Sequence, residues 1–371
     1  MNAKKVALGL SGGVDSSVAA ALLLEQDYDV TGVYLECYNE PGCRTDQDKK
    51  DALQVALKLG IKFEVLDFRR EYREKVIEYF YTEYEAGRTP NPDVMCNKEI
   101  KFGIFYDWAL RKAQGRPRFD YVATGHYARV AEISNNQLPN SKQMLLQRAR
   151  DESKDQSYFL WQIPKDHLEH ILFPLGEMLK SEVRAKAKEL GLGTATKPDS
   201  MGICFIGDVD VHKLLKDKLG ENPGEVIMSP ARTVLAGVIG THKGLWFYTI
   251  GQRGGWEMNK LDHLNIKPMN HLGINMNKLP PLYVIGKDKE KNILIVGTRE
   301  ATMRNEFKVK KIEGIAGPLW VRIRNLGELY EVIDFDGETV YIKEPVFAVA
   351  EGQSCVFYNE SQVLVAGSII V

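Results

Sequence analysis

No two of the five cysteines, Cys37, Cys43, Cys96, Cys204 and Cys355, stand in a C-x-x-C pair, and an odd, scattered set makes a poor disulfide framework. A zinc ribbon or knuckle has no support in that spacing, and a reducing compartment is expected. Net charge is also scarce, with 49 Lys and Arg against 50 Asp and Glu. A near-neutral total exerts no global pull on phosphates, so any nucleic acid has to be held by local basic patches. No run of eighteen apolar residues occurs, and no signal-like apolar stretch follows Met1-Asn2-Ala3-Lys4-Lys5. The expectation is a soluble, cytoplasmic protein with no membrane partner. No repeat of solenoid period is visible.

What is present is a length of 371 residues, enough for two or three domains. Short apolar runs at Val6 to Leu10, Val30 to Leu35 and Phe63 to Leu66 alternate with amphipathic stretches at Asp15 to Gln26 and Asp48 to Leu59. That βαβαβ rhythm predicts a parallel sheet with helices on both faces. Tyr72, Val76, Tyr79, Phe80 and Tyr84 recur at helical spacing up to Gly87 and are expected to pack on the sheet. Asn97 to Arg111 reads as a helix, Tyr121 to Thr124 as a strand, and Ile163 to Leu190 as helical with breaks at Pro164 and Pro174. Asn135 to Ser141 is expected to be a surface loop. From Gly224 the texture turns to Gly, Pro and β-branched residues, with strands predicted at Thr233 to Val238, Leu245 to Ile250, Tyr283 to Lys287 and Ile293 to Gly297. Close alternation from Glu306 onward completes the expected fold class: an α/β domain with a doubly wound parallel sheet (1–206), a small mixed central domain (207–284) and a C-terminal β-barrel (285–371). The stretch Trp256 to Pro281 reads as a loop.

The string Gly9-Leu10-Ser11-Gly12-Gly13-Val14-Asp15-Ser16-Ser17 follows one predicted strand and opens a predicted helix, where backbone N–H groups favour an anion. Glycines allow close approach, Ser11, Ser16 and Ser17 can donate to phosphate oxygens, and Asp15 can cap the helix or help hold Mg²⁺. It is neither G-x-x-x-x-G-K-[ST] nor G-x-G-x-x-G. It resembles instead the signature of the ATP pyrophosphatase (PP-loop) superfamily. That resemblance implies cleavage of ATP between its α and β phosphates, activation of an oxygen by adenylation, an adenine site at Leu35 and close approach of Gly125 to the nucleotide.

Cys96 lies within Asn91-Pro92-Asp93-Val94-Met95-Cys96-Asn97-Lys98, just before a predicted helix start, where N–H groups and Lys98 could lower a thiol pKa. Cys204 lies in Asp199-Ser200-Met201-Gly202-Ile203-Cys204. A cysteine among apolar neighbours is by itself more often buried filler. Together with Thr124-Gly125-His126-Tyr127, Lys154-Asp155-Gln156-Ser157-Tyr158, Gly251-Gln252-Arg253 and Gly352-Gln353-Ser354, these strings resemble the bacterial tRNA-specific 2-thiouridylase family over nearly the whole chain. The resemblance implies ATP and Mg²⁺ as cofactors, and tRNA with a wobble uridine as substrate. A cysteine desulfurase or sulfur-relay protein is implied as donor. It implies a persulfide on Cys204, a nucleophilic Cys96 that can end in a disulfide with it, and Asp93 as acid or base at the uridine N3. It places Asn91, Pro92 and Asp93 at the target base, and His126, Lys154, Asp155, Gln156, Arg324, Asn325 and Gln353 on the tRNA. Lys308, Lys310, Lys311, Arg322 and Arg324 form an independent basic run whose bland reading is a solvated strand face.

Met201 and the 256–281 stretch depart from the usual family pattern. Two other readings remain open at this level. One is a small-molecule amide-forming ligase with the same loop. The other makes Asp93, Cys96 and Cys204 ligands of an iron–sulfur cluster.

Overall fold

The computed structural model describes residues 3–39, 45–113, 116–134, 142–199, 202, 204, 210–229, 237–258, 280–315 and 317–371. Cys43, Met201, the loop expected at Asn135 to Ser141, most of the 256–281 stretch and most of the strand expected at Thr233 to Val238 lie outside them.

Five parallel strands form the N-terminal sheet: β1 (Lys5–Gly9), β2 (Asp29–Glu36), β3 (Lys62–Asp67), β4 (Tyr121–Thr124) and β5 (Ile171–Leu172), in the order β3-β2-β1-β4-β5. The period of two along a strand sends Ala7, Val33 and Leu35 into one apolar core, and Val6, Leu8 and Val30 into another. Burial on both faces is why β1 and β2 read as continuous apolar runs. Helices α1 (Val14–Glu25) and α2 (Thr45–Leu59) cover one face through Val18, Leu23, Ala52 and Val55. The helical runs α3 (69–85) and α4 (92–110) cover the other through Tyr72, Val76, Ile100, Phe102 and Phe105. Each fully buried side chain of this kind contributes about 1.5–3 kcal/mol.

Two expectations in this region need correction. Ile163 to Leu190 is not continuously helical. Lys165–His170 is a 3₁₀ turn, Ile171–Leu172 supplies the edge strand β5, and the α-helix runs only over Lys180–Glu189. The apolar pair at 171–172 is too short for periodicity to distinguish strand from helix. The aromatic stripe also serves two cores: Tyr72 and Val76 pack under the sheet, while Phe80, Tyr81 and Tyr84 pack in the central domain.

The central sheet has the order Glu257–Met258, Gly237–His242, Gly224–Met228, Ile293–Gly297, Tyr283–Asp288. Ile293–Gly297 pairs with both Gly224–Met228 and the edge strand Tyr283–Asp288, so a boundary at 284/285 would cut a strand of this sheet. Leu245 to Ile250 is not a strand but begins as a 3₁₀ turn at Leu245–Phe247, after Gly244 at φ +150°. Phe247 there turns inward and stacks on His212 with centroids 5.4 Å apart. Local alternation could not reveal this tertiary packing.

The last sheet is six-stranded and antiparallel, running from Met303–Lys308 at one edge to Leu364–Ile369 at the other. A bridge between Val309 and Ile370, with Lys310 N–H donating to the Ile369 carbonyl at 2.8 Å, draws those edges together into a barrel.

Candidate active site at the carboxyl edge of the parallel sheet

β1 leads to β2 on one side and lies beside β4 on the other, so the strand order reverses between β1 and β4. Open α/β sheets place ligand crevices at the carboxyl ends of strands at such a switch point. The Gly9 to Ser16 loop leaves β1 there. Gly12 adopts φ +75°, and a Cβ at that position would lie 2.2 Å from the Asp48 carbonyl oxygen, so α2 can crowd the loop only because no side chain intervenes. α1 starts at Gly13 with no side-chain cap, leaving N–H groups at a positive helix end. Opposite the loop, Gly125 would place a Cβ 2.7 Å from the Ser16 nitrogen, and glycine is what allows β4 and the loop to approach.

The hydroxyls divide in function. Ser11 and Ser16 face each other at 3.1 Å, and both line the cavity. Ser17, expected as a phosphate donor, is fully buried and donates instead to the Gly13 carbonyl at 2.7 Å. Val14 sends its side chain into the core beneath the loop. Asp15 accepts from Lys180 Nζ at 2.7 and 2.8 Å and from the Tyr127 hydroxyl at 2.9 Å. Lys197 donates to the Gly12 carbonyl and to Asp48, both at 2.8 Å, and also pairs with Asp51. Sequence reasoning did not single out Lys180 or Lys197. They lie far along the chain, with no spacing that ties them to the loop.

The cysteines meet at the same edge. Asn91 caps the helix by accepting from Val94 N–H, and Pro92 occupies the first helical position, where its missing N–H costs nothing. From Cys96 to Ile104 the helix is wound i→i+5, which brings Lys101 round toward the side of Cys96; such windings recur at functional sites. Cys96 is fully buried and lies close enough to Cys204 to raise its thiol; both are unoxidised. Asp93 Oδ1 accepts from the Cys204 N–H at 2.9 Å, and the Tyr72 hydroxyl donates to the Cys204 carbonyl at 2.6 Å, so two side chains clamp this residue's backbone. Cys96, burial and the nearby Asp93 hold the Cys204 thiol well above the ordinary range, against the pull of Lys101.

Lys98, expected to act on a thiol, pairs instead with Glu99 at 3.2 Å. The cation at the sulfur is Lys101, whose Nζ lies 3.6 Å from Cys204 Sγ and 3.4 Å from His126 Nε2. Burial, then Lys101, push the His126 imidazole well below its usual range. It is neutral, with Nδ1 2.7 Å from the Thr124 hydroxyl. A cavity of about 260 Å³ joins the two halves of the site: the glycine loop, Leu35 and Gly125 line one part, and Lys101, His126 and Cys204 another.

Other residues singled out from the sequence lie in different settings. Gln156 lines the cavity and accepts from Tyr127 N–H at 3.0 Å. Lys154 is paired with Asp199 at 2.8 Å. Asp155 is fully buried, ion-paired to Arg148 at 3.3 Å and to Arg322 at 2.7 Å, which leaves neither Asp155 nor Arg322 facing solvent. Arg324 donates to the Phe347 and Ala348 carbonyls, and the Asn325 carbonyl oxygen is buried without a partner. Gln353 donates to the Thr89 and Pro90 carbonyls, both at 2.9 Å, fixing from the barrel the turn that leads to Asn91. Among the described residues, no group of three or more His, Cys, Asp or Glu side chains could hold a metal ion. Asp93 is committed to a backbone N–H beside the two sulfurs, so a three-ligand iron–sulfur site does not fit the residues as they stand. Nor is any described helix long and apolar enough to cross a membrane.

Three family descriptions match the chain in succession: tRNA methyl transferase HUP domain over residues 4–208, tRNA methyl transferase PRC-barrel domain over 212–298, and Aminomethyltransferase beta-barrel domain over 304–370. The tRNA-specific 2-thiouridylase MnmA of Akkermansia muciniphila is 39% identical over 98% of this chain and 98% of its own length. The protein of the same name from Streptococcus agalactiae is 41% identical over 98% of this chain and 95% of its own. A solved U34-tRNA thiolase NcsA from Methanococcus maripaludis, with its [4Fe-4S] cluster, is 18% identical over 54% of this chain and 61% of its own, at a TM-score of 0.34, too loose a likeness to argue from. With near-complete coverage at about 40% identity and all three domains matched in order, the chain belongs to the tRNA-specific 2-thiouridylase family.

Proposed function

We propose that this chain uses ATP to replace the 2-oxygen of the wobble uridine in tRNA with sulfur carried on Cys204. The observation that supports this most directly is the shared cavity: the phosphate loop and Cys204 open into one space, so a base activated at one end meets sulfur at the other. In the first half-reaction the uridine 2-oxygen attacks the α-phosphorus of ATP and pyrophosphate leaves. The α1 N–H groups, Ser11 and Ser16 are placed to stabilise its charge. Asp15 and Asp48 line the cavity but are held by Lys180 and Lys197, so a Mg²⁺ arriving with the nucleotide would draw its oxygens mainly from phosphate.

In the second half-reaction Cys204 carries a persulfide supplied by a cysteine desulfurase or relay protein. The Cys96 thiolate attacks Cys204 Sγ, a Cys96–Cys204 disulfide forms, and the outer sulfur leaves as hydrosulfide. Hydrosulfide adds at C2, and AMP departs. The closeness of the two thiols supports this order. Asp93 acts here by fixing Cys204 through its N–H. The flipped base would enter past Asn91, Pro92, Asp93 and His126, with Lys154, Gln156, Arg324, Asn325 and Gln353 on the tRNA side.

The test is thiolation of unmodified tRNA transcripts with a wobble uridine, using ATP, Mg²⁺ and a persulfide donor, read on a sulfur-sensitive gel. Wild type should thiolate, and Cys204→Ser and Cys96→Ser should lose the persulfide-driven product while still releasing pyrophosphate. Pyrophosphate release that depends on a carboxylate acceptor instead of tRNA would point to the ligase reading.

A further inference from the structure

Lys101 is charged, half-buried, and aimed at the sulfur of one cysteine. Its ammonium contacts Cys204 Sγ and His126 Nε2, and the Cys96 and Cys37 thiols and the Asp93 carboxylate lie near enough to act on its charge. We propose that Lys101 is a catalytic residue of sulfur transfer, holding negative charge on the sulfurs of Cys204 while His126 keeps the ammonium turned toward them. The proposal rests on the thiolation reading above and adds a residue to it.

Geometry supports the assignment first. Nζ is 3.6 Å from Cys204 Sγ. A persulfide adds one sulfur at about 2.05 Å from Sγ, so the outer sulfur would lie within about 5.7 Å of the ammonium however it is turned. When the Cys96 thiolate forms its bond to Sγ and the Sγ–outer sulfur bond breaks, the bonding pair leaves with the outer sulfur as hydrosulfide. A fixed cation beside that leaving group stabilises it as its charge develops.

The environment supplies the second argument. Burial opposes charge on Lys101, but Cys204, Cys96 and Asp93 more than offset it, so the ammonium persists. An ammonium can only donate, and a neutral imidazole has one acceptor nitrogen. His126 Nε2 therefore accepts from Lys101, and its Nδ1–H donates to the Thr124 hydroxyl, which fixes the tautomer and aims the cation. His126 is thus a positioning residue for Lys101. Thr124 ends β4, beside the nucleotide side of the cavity, so the rigid sheet sets the direction of the ammonium.

Two measurements test this. In a Cys96→Ser background, alkylation of Cys204 by iodoacetamide is followed against pH by peptide mass spectrometry, with neither ATP nor tRNA present. Lys101→Gln should move the midpoint up by about 1–3 pH units, because an opposite charge at contact distance shifts a thiol by that order, and Lys101→Arg should restore most of the shift. With enzyme loaded with persulfide in advance, Lys101→Gln should slow single-turnover sulfur transfer to tRNA about a hundredfold, with a much smaller loss in pyrophosphate release. Should the Gln variant not fold, Lys101→Met provides the same comparison. An unmoved alkylation midpoint, or equal losses in pyrophosphate release and sulfur transfer, overturns the proposal. A shifted midpoint in a protein that thiolates no tRNA would leave Lys101 paired with Cys204 and reject the thiolation reading instead.

Discussion

Asp199 links the glycine loop to the segment of Cys204, five residues before that cysteine. It accepts from Lys154 and Lys180 and pairs with Arg184, while Lys180 reaches on to Asp15 in the loop. Burial works against charge on Asp199, but the Lys154 and Lys180 hydrogen bonds outweigh it and hold the carboxyl far below its usual range. A carboxylate depressed in the folded state stabilises fully above its unfolded value near 4, and that contribution is lost as pH falls through the folded value. Asp199→Asn should therefore flatten the acid side of the stability profile, read as urea midpoints from pH 5 downward. His126 has the same sign for a different reason. The folded imidazole refuses a proton that the unfolded chain accepts, so stability declines as pH drops below about 6.5. His126→Asn should remove that slope between pH 6.5 and 5, and an unchanged slope would count against a neutral buried imidazole.

At the scale of elements, the phosphate loop is the most demanding feature, because it joins a strand, a left-handed glycine and an uncapped helix start. Gly12→Ala would strain the backbone by about 1–3 kcal/mol and drive a methyl into the Asp48 carbonyl. Pyrophosphate release should fall below detection while the Cys204 alkylation profile remains near wild type, since the damage stays at one end of the cavity. This loop was legible in the sequence because its glycines and hydroxyls are contiguous, and β1, β2 and α1 because their apolar periods are regular. Lys101 was not legible. In an ordinary α-helix a residue five positions after Cys96 points well away from it, and only the i→i+5 winding of 96–104 brings the two to one side. The 3₁₀ turn at Leu245–Phe247 and the two-residue strand β5 were missed because distant packing and edge pairing decided them, not local alternation.

The whole molecule is tied together by polar contacts that the sequence suggested were for RNA. Asp155 accepts from Arg322 of the barrel, from Arg148, from Ala149 N–H at 3.1 Å and from the Ser157 hydroxyl at 3.0 Å, all out of water. Motif resemblance marked Asp155 for tRNA, whereas burial makes it the joint between the α/β domain and the barrel. Asp155 is the one carboxylate shared by two buried guanidiniums, so Asp155→Asn should cost about 3–5 kcal/mol, Arg322→Met, which leaves the Arg148–Asp155 pair in place, should cost less, and the double change should recover part of the Asp155→Asn loss. Thermal melts of the three variants read this directly. Gln353 makes a second joint, holding the turn before Asn91, so Gln353→Ala should weaken tRNA thiolation more than ATP turnover.

The glycine loop, Lys101 and Cys204 line one cavity, and the central claim is that they act there on one uridine. The decisive measurement loads Cys204 with radiolabelled outer sulfur, adds ATP and an unmodified tRNA transcript, and follows label, AMP and pyrophosphate through one turnover. The account predicts label in the wobble nucleoside, with AMP and pyrophosphate formed in equal amounts and a Cys96–Cys204 disulfide left behind. Label reaching the tRNA without ATP, or ATP split with the label still on Cys204, would contradict it.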